Sequence, residues 1–477
     1  MTKNKPIQTN LIVVGSGPGG YTAAFRAADL GLNVILIEKD SQLGGVCLNR
    51  GCIPSKAFLH SANIINESKK AKKIGLSFEK PKIDIEKLHN WKNSIISNLN
   101  LGIKELSKKR NIQIINGTAS FLSAKKIEVI DNQNKKIIIE FKKCIIATGS
   151  SPTKLRNSNI SDPRIINSTQ ALSLKKIPKK MLIIGGGYIG LELGCALTKL
   201  GTEVTVIEGL DNVLSIMDKE IRRPLERWLK IKKVTVHTKA LARGADVKGK
   251  GASRKVHLRF EMEGEEHTIK VDKVLVTVGR RPNSKGWGIE NMGVRMDSSG
   301  NFIRIDRKCR TSAPGVFAIG DVAGEPMLAH KASSQGEMVA EIIAGHNREF
   351  DKVAIPAIVF TEPEIVSVGL NPDEARELGE EIITGKFPLA ANGRALTLEA
   401  EKTGGFIRVT ARKSDHVILG IQAVGSHVAE LSGEFVLALE MGALLEDIAD
   451  TVHAHPTMTE SFHESVLKTL GHAIHIS

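Results

Sequence analysis

Long apolar runs and a generous supply of cysteine are missing from this chain of 477 residues, and no secretory leader is expected. No stretch approaches the roughly 18 consecutive apolar residues of a membrane span, and the opening MTKNKPIQTN has neither the apolar segment nor the cleavage site of a signal peptide. A cytoplasmic protein that does not enter a membrane is therefore expected. The five cysteines, an odd number in a long chain of that kind, exclude a structural disulfide framework, because a reducing compartment keeps most thiols free. Aromatic residues make up only 4 % of the chain. The net charge of +15 would favour acidic partners, but it is dispersed. Its densest stretch, KKAKK from Lys69 to Lys73, has no aromatic interleaving, so a solvated helix face is expected and no nucleic-acid partner.

What is present is ordinary globular material. Hydrophobic residues account for 41 % and charged residues for 25 %, which excludes general disorder, and the length suits about three domains.

The segment LIVVGSGPGGYTAAFRAADLGLNVILIEK, from Leu11, runs from an apolar stretch through glycines and helix-compatible residues to a second apolar stretch. That is strand, turn, helix, strand. Gly15, Gly17 and Gly20 form GxGxxG, whose glycines permit a tight turn, close approach of a pyrophosphate and helix-to-strand packing. Glu38 ends the second stretch, where a carboxylate can accept hydrogen bonds from a ribose. Gly185, Gly187, Gly190 and Glu208 repeat the pattern, each 170 residues after its counterpart. Two dinucleotide sites are implied. Glu208 repels a 2′-phosphate and Gly209 and Leu210 offer no guanidinium to receive one, so the second site is expected to take NAD rather than NADP. FAD is the expected occupant of the first, the alternative being that one unit is vestigial.

Between the first cradle and a following helix lies LGGVCLNRGCIPSK, with Cys47 and Cys52 five residues apart. Residues five apart on a regular helix point to different sides, so pairing demands the bend that Gly44, Gly45 and Gly51 allow. No second cysteine pair completes a zinc site, and no metal is expected. A redox pair and two unpaired thiols remain the alternatives.

The string GGVCLNRGCIPSK, the doubled cradle and the ending HAHPTMTE together resemble the flavin-dependent pyridine nucleotide-disulfide oxidoreductases, and among them most closely the dihydrolipoyl dehydrogenases. The resemblance covers essentially the whole chain through ATGS from Ala147, VGRRPN from Val278, FAIGD from Phe317, MLAH from Met327 and FTEPEIVSVG from Phe360. It implies that Cys47 is the interchange thiol and Cys52 the thiol nearest the flavin, with Lys56, paired to Glu192, beside the flavin. It implies further that Gly117, Ala147, Thr148, Gly149, Asp321, Met327, Leu328 and Ala329 line FAD, and that Gly279 lies along NAD. His455 and Glu460 match the family's base and its orienting carboxylate, supplied from the opposite subunit of a homodimer. Such a pair suits the chemistry, because thiol exchange proceeds through the thiolate and an ordinary thiol is mostly protonated at neutral pH.

Four positions depart from the commoner pattern: Arg50 replaces an apolar residue, Met458 and Thr459 replace Leu and Ser, and Tyr188 is similar to a gating tyrosine of the glutathione reductase branch. The expected architecture is α/β, with two Rossmann-like units and a carboxyl-terminal α+β dimerisation domain. The expected divisions are an FAD unit over 1–150 and 283–352, an NAD unit over 151–282 and an interface domain over 353–477. Long helices are expected over the Lys/Asn-rich stretch from Ser61 to Arg110. The implied activity is oxidation of dihydrolipoamide by NAD, with a lipoyl-bearing acyltransferase or glycine-cleavage carrier protein as partner. A glutathione or mercuric reductase, a soluble transhydrogenase and a non-catalytic docking subunit are the alternatives.

Overall fold

A computed structural model describes residues 5–155, 162–400 and 404–477. The strand Ile7–Val14 alternates its side chains between two apolar layers: Leu11 and Val13 face one, Ile12 and Val14 the other, and all four are buried. A strand covered on both faces reads as a continuous apolar run, as this one does, and its neighbours are parallel. It pairs in parallel with Val34–Glu38 on one side and Lys136–Ile146 on the other; Gln113–Ser123 and Val316–Ala318 extend the sheet outward. An antiparallel excursion through Lys126–Asp131 links Gln113–Ser123 to Lys136–Ile146.

The helix Pro18–Asp29 lies against helix Ala329–Ile343 at close range, because both carry glycine at the crossing. A β-carbon on Gly336 would stand 2.4 Å from the carbonyl oxygen of Gly19. Residues far apart in sequence are thereby fixed in one unit.

A second parallel sheet is inserted between Lys136–Ile146 and Val316–Ala318. Its order is Thr235–His237, Glu203–Ile207, Lys180–Ile184, Lys273–Val276 and Ile165–Asn167. An antiparallel layer of Ala240–Lys248, Lys255–Met262 and Glu265–Val271 accompanies it. Where the chain leaves the first unit and where it returns, Ser150–Pro152 and Arg280–Pro282 pair with each other.

The third sheet is antiparallel, in the order Ala357–Val359, Glu364–Gly369, Ile418–Gly425, Phe406–Arg412 and Ile382–Pro388. Helices Ser432–Glu440 and Glu460–Leu470 cover it, with Phe435 and Phe462 in edge-to-face contact at 5.1 Å. Ion pairs tie the units together. Arg408 on the third sheet reaches Asp218 and Glu220 at the start of helix Lys219–Ile231, each at 2.8 Å. Glu362 takes Lys199 of helix Tyr188–Lys199 and Lys70 of helix Cys52–Lys70. The Lys/Asn-rich stretch supplies most of helix Cys52–Lys70 and the whole of helix Ile85–Lys109, which packs on the first unit. Among the described residues no helix is long and apolar enough to cross a membrane.

Candidate active site

The two glycine turns repeat each other's main-chain hydrogen bonds. Gly15 and Gly185 both have φ +101°, and both donate to the carbonyl of the neighbouring strand, Ile37 and Ile207, at 2.8 Å. A β-carbon at either would run into a carbonyl oxygen, that of Ala147 at 2.3 Å or of Thr277 at 2.5 Å, so only glycine fits. Gly20 and Gly190 sit beneath these turns, in contact with Gly15 and Gly185. Glu38 accepts from the main-chain N–H of Ser16 at 2.8 Å and of Asp40 at 2.9 Å. Glu208 accepts from those of Gly186 at 2.6 Å and Leu210 at 2.9 Å. At Gly17 and Gly187 a β-carbon would meet nothing, so each turn presents bare backbone to an open side.

The first turn opens on a cleft of about 1270 Å³, above the ~300–1,000 Å³ of an ordinary small-ligand pocket. Gly15, Gly17 and Glu38 line one end. Gly117, Ala147, Thr148, Gly149, Asp321, Met327 and Ala329 line its walls, and Cys47, Cys52, Lys56 and Glu192 gather on one side. Bare glycine backbone at a helix N-terminus suits a pyrophosphate, the carboxylate of Glu38 suits a ribose, and the volume suits an extended dinucleotide. The residues fit FAD. Leu328, between Met327 and Ala329, caps the helix Ala329–Ile343. Gly279 (φ +105°) lies at the second cradle side of the Arg280–Pro282 strand, where a β-carbon would again meet nothing. With Gly187 and Glu208 it fits a second dinucleotide.

The cysteine loop is folded against the first turn. Gly44 donates to the carbonyl of Ser16 at 2.9 Å, and a β-carbon on Gly45 would stand 2.7 Å from Cα of Gly17. Asn49 donates to the carbonyls of Leu43 and Gly45 at 2.8 and 3.0 Å, and Asn100 on helix Ile85–Lys109 donates to Asn49 at 2.8 Å. That is one task of the long Lys/Asn-rich helix. Cys47 ends up on helix Gly45–Arg50, and Cys52 on the first turn of helix Cys52–Lys70. The two thiols are in contact.

Their environments push them apart. The Cys47 thiol hydrogen-bonds Cys52, which, aided by the charge of Lys56, holds Cys52 below the ordinary thiol value against the cost of burial. The same bond, together with burial, pushes Cys47 well up. A thiolate on Cys52 also lies at a helix N-terminus, where the dipole favours an anion. Lys56 Nζ donates to Glu192 at 2.8 Å. The other oxygen of that carboxylate accepts from the main-chain N–H of Phe360 at 3.0 Å.

Asp321 accepts from the Ser150 hydroxyl at 2.5 Å, and Arg280 reaches the oxygens of Ser150 at 2.7 Å. Tyr188 lines the same cleft, its hydroxyl pushed up to about 12 by burial. The helix that starts the second cradle therefore forms a wall of the first. Arg50 pairs with Asp40 at 2.5 Å, both facing the cleft, which gives that departure from the common pattern a local partner.

His455 and Glu460 are elsewhere. His455 Nδ1 lies 2.8 Å from Glu460, whose second oxygen accepts from Thr457 at 2.8 Å, and the imidazole is 79 % exposed on the third unit. Within one chain this pair does not line the cleft. His453, two residues earlier, is engaged with Glu434 at 2.9 Å and stacks on His463.

Comparison with known proteins matches residues 9–336 to the pyridine nucleotide-disulphide oxidoreductases, and residues 355–466 to the dimerisation domain of the same family. The chain belongs to the pyridine nucleotide-disulphide oxidoreductases. The dihydrolipoyl dehydrogenase of Geobacillus stearothermophilus is 46 % identical over 98 % of both chains. That of Pseudomonas aeruginosa is 44 % identical over 98 % of this chain and 99 % of its own. Among solved structures, LpdA from Mycobacterium tuberculosis superposes with a TM-score of 0.87 at 28 % identity, covering 96 % of this chain and 99 % of its own. The HOCl-induced flavoprotein disulfide reductase RclA from Escherichia coli reaches 0.84 at 25 %, with the same coverage. Membership fixes this oxidoreductase as an enzyme of paired cofactors, FAD and NAD, with a carboxyl-terminal unit of the dimerising kind.

Ser16, Asp40, Asn49, Asn100, Arg280 and Phe360 belong to the site without having been singled out in the sequence. Ser16 and Asp40 could have been found from the repeat, because they occupy the positions of Gly186 and Leu210. Phe360 acts partly through its backbone, which leaves no mark on residue type.

Proposed function

We propose that this oxidoreductase is a dihydrolipoyl dehydrogenase, which regenerates the disulfide of a protein-bound dihydrolipoyl group and passes the electron pair to NAD. The observation that carries the reading is the contact of Cys47 and Cys52 on the wall of the large cleft, beside the Lys56–Glu192 pair. The proposed divisions are 1–150 and 283–352 for FAD, 151–282 for NAD and 353–477 for the dimer contact. Gly15, Gly17, Glu38, Gly117, Ala147 to Gly149, Asp321, Met327 and Ala329 would hold FAD; Gly185, Gly187, Glu208 and Gly279 would hold NAD. FAD bound there supplies a two-electron acceptor for the thiol pair and a donor for NAD.

In the oxidised enzyme Cys47 and Cys52 form the disulfide. His455 of the second subunit, oriented by Glu460, takes a proton from the substrate dithiol. The substrate thiolate bonds to the sulfur of Cys47 and the Cys47–Cys52 bond breaks, releasing Cys52 as the thiolate its surroundings favour. The second substrate sulfur then displaces Cys47, closing the lipoyl disulfide and leaving two reduced cysteines. The reading calls for a homodimer because His455 does not line the cleft of its own chain; exposed Leu437, Met441 and Val452 lie on the unit that would form the contact. The partners in this reading are a lipoyl-bearing acyltransferase or glycine-cleavage carrier protein, in the cytoplasm.

Stopped-flow mixing of the purified holoenzyme with dihydrolipoamide, with NAD or NADP as acceptor, tests this. Fast reduction of NAD, and slow reduction of NADP, is expected. A flavin reduced by NADH but never by the dithiol would overturn the substrate assignment.

A further inference from the structure

The carboxyl-terminal unit also reaches the redox centre of its own chain, through Phe360. The ring of Phe360 lies beneath the Lys56 ammonium, with Nζ 4.1 Å from its centroid. Its main-chain N–H holds one oxygen of Glu192 at 3.0 Å, while Lys56 holds the other at 2.8 Å. Cation, carboxylate and ring thus form a closed triangle. A lysine on a flexible four-carbon stem loses rotamer freedom when it is fixed. One carboxylate oxygen defines one point of contact, and the ring face supplies a second from another direction. Glu362, two residues on, is anchored by Lys199 and Lys70, so the segment that carries the ring is itself fastened to helices Cys52–Lys70 and Tyr188–Lys199.

We infer that Phe360 is a positioning residue for the thiol chemistry, its ring face and main-chain N–H together holding the Lys56–Glu192 pair in place beside Cys52. The inference rests on the reading of Cys47 and Cys52 as the redox pair. Within one chain the groups that face Cys52 are Cys47 from the preceding helix, Lys56 from its own, and Tyr188 and Glu192 from helix Tyr188–Lys199; the proposed dimer adds His455 of the partner subunit. Lys56 is the cation among these, and its charge favours the Cys52 thiolate. Releasing it should therefore cost thiolate.

The test uses holoenzyme reduced by two electrons and follows the long-wavelength absorbance of the thiolate against flavin as a function of pH. Phe360→Leu keeps an apolar side chain and the backbone N–H but removes the ring face; Phe360→Tyr keeps the face. The Leu variant should titrate about half a pH unit higher than the parent, a roughly three-fold loss of thiolate below the midpoint, and the Tyr variant should titrate with the parent. In a Lys56→Gln background, Phe360→Leu should shift nothing further. An unmoved midpoint in Phe360→Leu, or an equal shift with and without Lys56, overturns the inference. Parent enzyme with no such absorbance at any pH overturns the redox-pair reading itself, and the inference with it.

Discussion

After the second strand of each glycine cradle the chain turns back and hydrogen-bonds the turn it has just left. In the first cradle Gly44 donates to the carbonyl of Ser16; in the second, Leu214 donates to that of Gly186, both at 2.9 Å and again 170 residues apart. What each returning loop carries is different. The first continues into the helix of Cys47 and then that of Cys52, so its cradle acquires a pair of thiols. The second runs on through Met217 into helix Lys219–Ile231, whose start is engaged by Arg408 of the third unit. One loop brings chemistry to the cradle and the other brings an anchor. The carboxylates differ in step: Glu38 is buried and takes the Ser16 hydroxyl at 2.6 Å besides two main-chain N–H groups, whereas Glu208 has Gly186 in place of that serine and is less enclosed. The same phosphate device is specialised by its surroundings.

Breaking the chemistry of the first loop should have the largest effect. Cys52→Ser is expected to retain FAD, to bind NADH, and to lose dithiol turnover by at least about 10³-fold, measured by stopped-flow with dihydrolipoamide and NADH in turn. Loss of the NADH half-reaction as well would show that the two cradles are not separable in this way. His455→Gln should slow the dithiol half-reaction by roughly 10²–10⁴-fold, the usual range for a lost general base, while reduction by NADH stays at the parent rate.

A smaller contrast lies in the carboxylates. Glu38→Ala strands two main-chain donors and a buried hydroxyl, and should lower stability by about 2–3 kcal/mol and weaken flavin retention, read by thermal unfolding and by flavin release. Glu208→Ala should leave the flavin in place and move the preference for NAD over NADP by about ten-fold, read as the ratio of kcat/KM values. Equal flavin loss in both variants would erase the distinction.

The smallest effect concerns the ion pairs between units. Burial pushes the Glu362 carboxyl up, but Lys199 and Lys70 outweigh it and hold the group below the ordinary glutamate value. A carboxyl whose folded value is depressed stabilises fully above its unfolded value of about 4.3, and loses that contribution as pH falls through the lower folded value. Urea midpoints between pH 7 and pH 3 should therefore fall more steeply for the parent than for Glu362→Gln, by about 1 kcal/mol or less. Parallel curves would remove Glu362 from the acid response.

The cradles were legible because their function constrains residue type at fixed spacing: glycines that no side chain can replace, and a carboxylate at the end of a strand. The same offset of 170 turned out to reach further than the glycines, to the N–H groups of Asp40 and Leu210 and to the returning loops. The bend between Cys47 and Cys52 was legible from its glycines. Lys56 and Glu192, 136 residues apart, carry no local signal and were accessible only through resemblance; so were His455 and Glu460, an ordinary histidine and glutamate when taken alone. Nothing in the sequence marks Glu362 and Lys199 as a partly enclosed pair, because burial of a charge depends on which helices meet around it.

The pairing of Ser150–Pro152 with Arg280–Pro282 places the exit from the first unit and the re-entry into it side by side. The stretch between them is thus a cassette whose two ends are already joined by a ladder. A domain held in that manner can be exchanged as a block in evolution, or in the laboratory, leaving the thiol pair and its cleft on the host, provided that the incoming block keeps the wall made by Tyr188 and Glu192 and the contacts of Arg280 with Ser150.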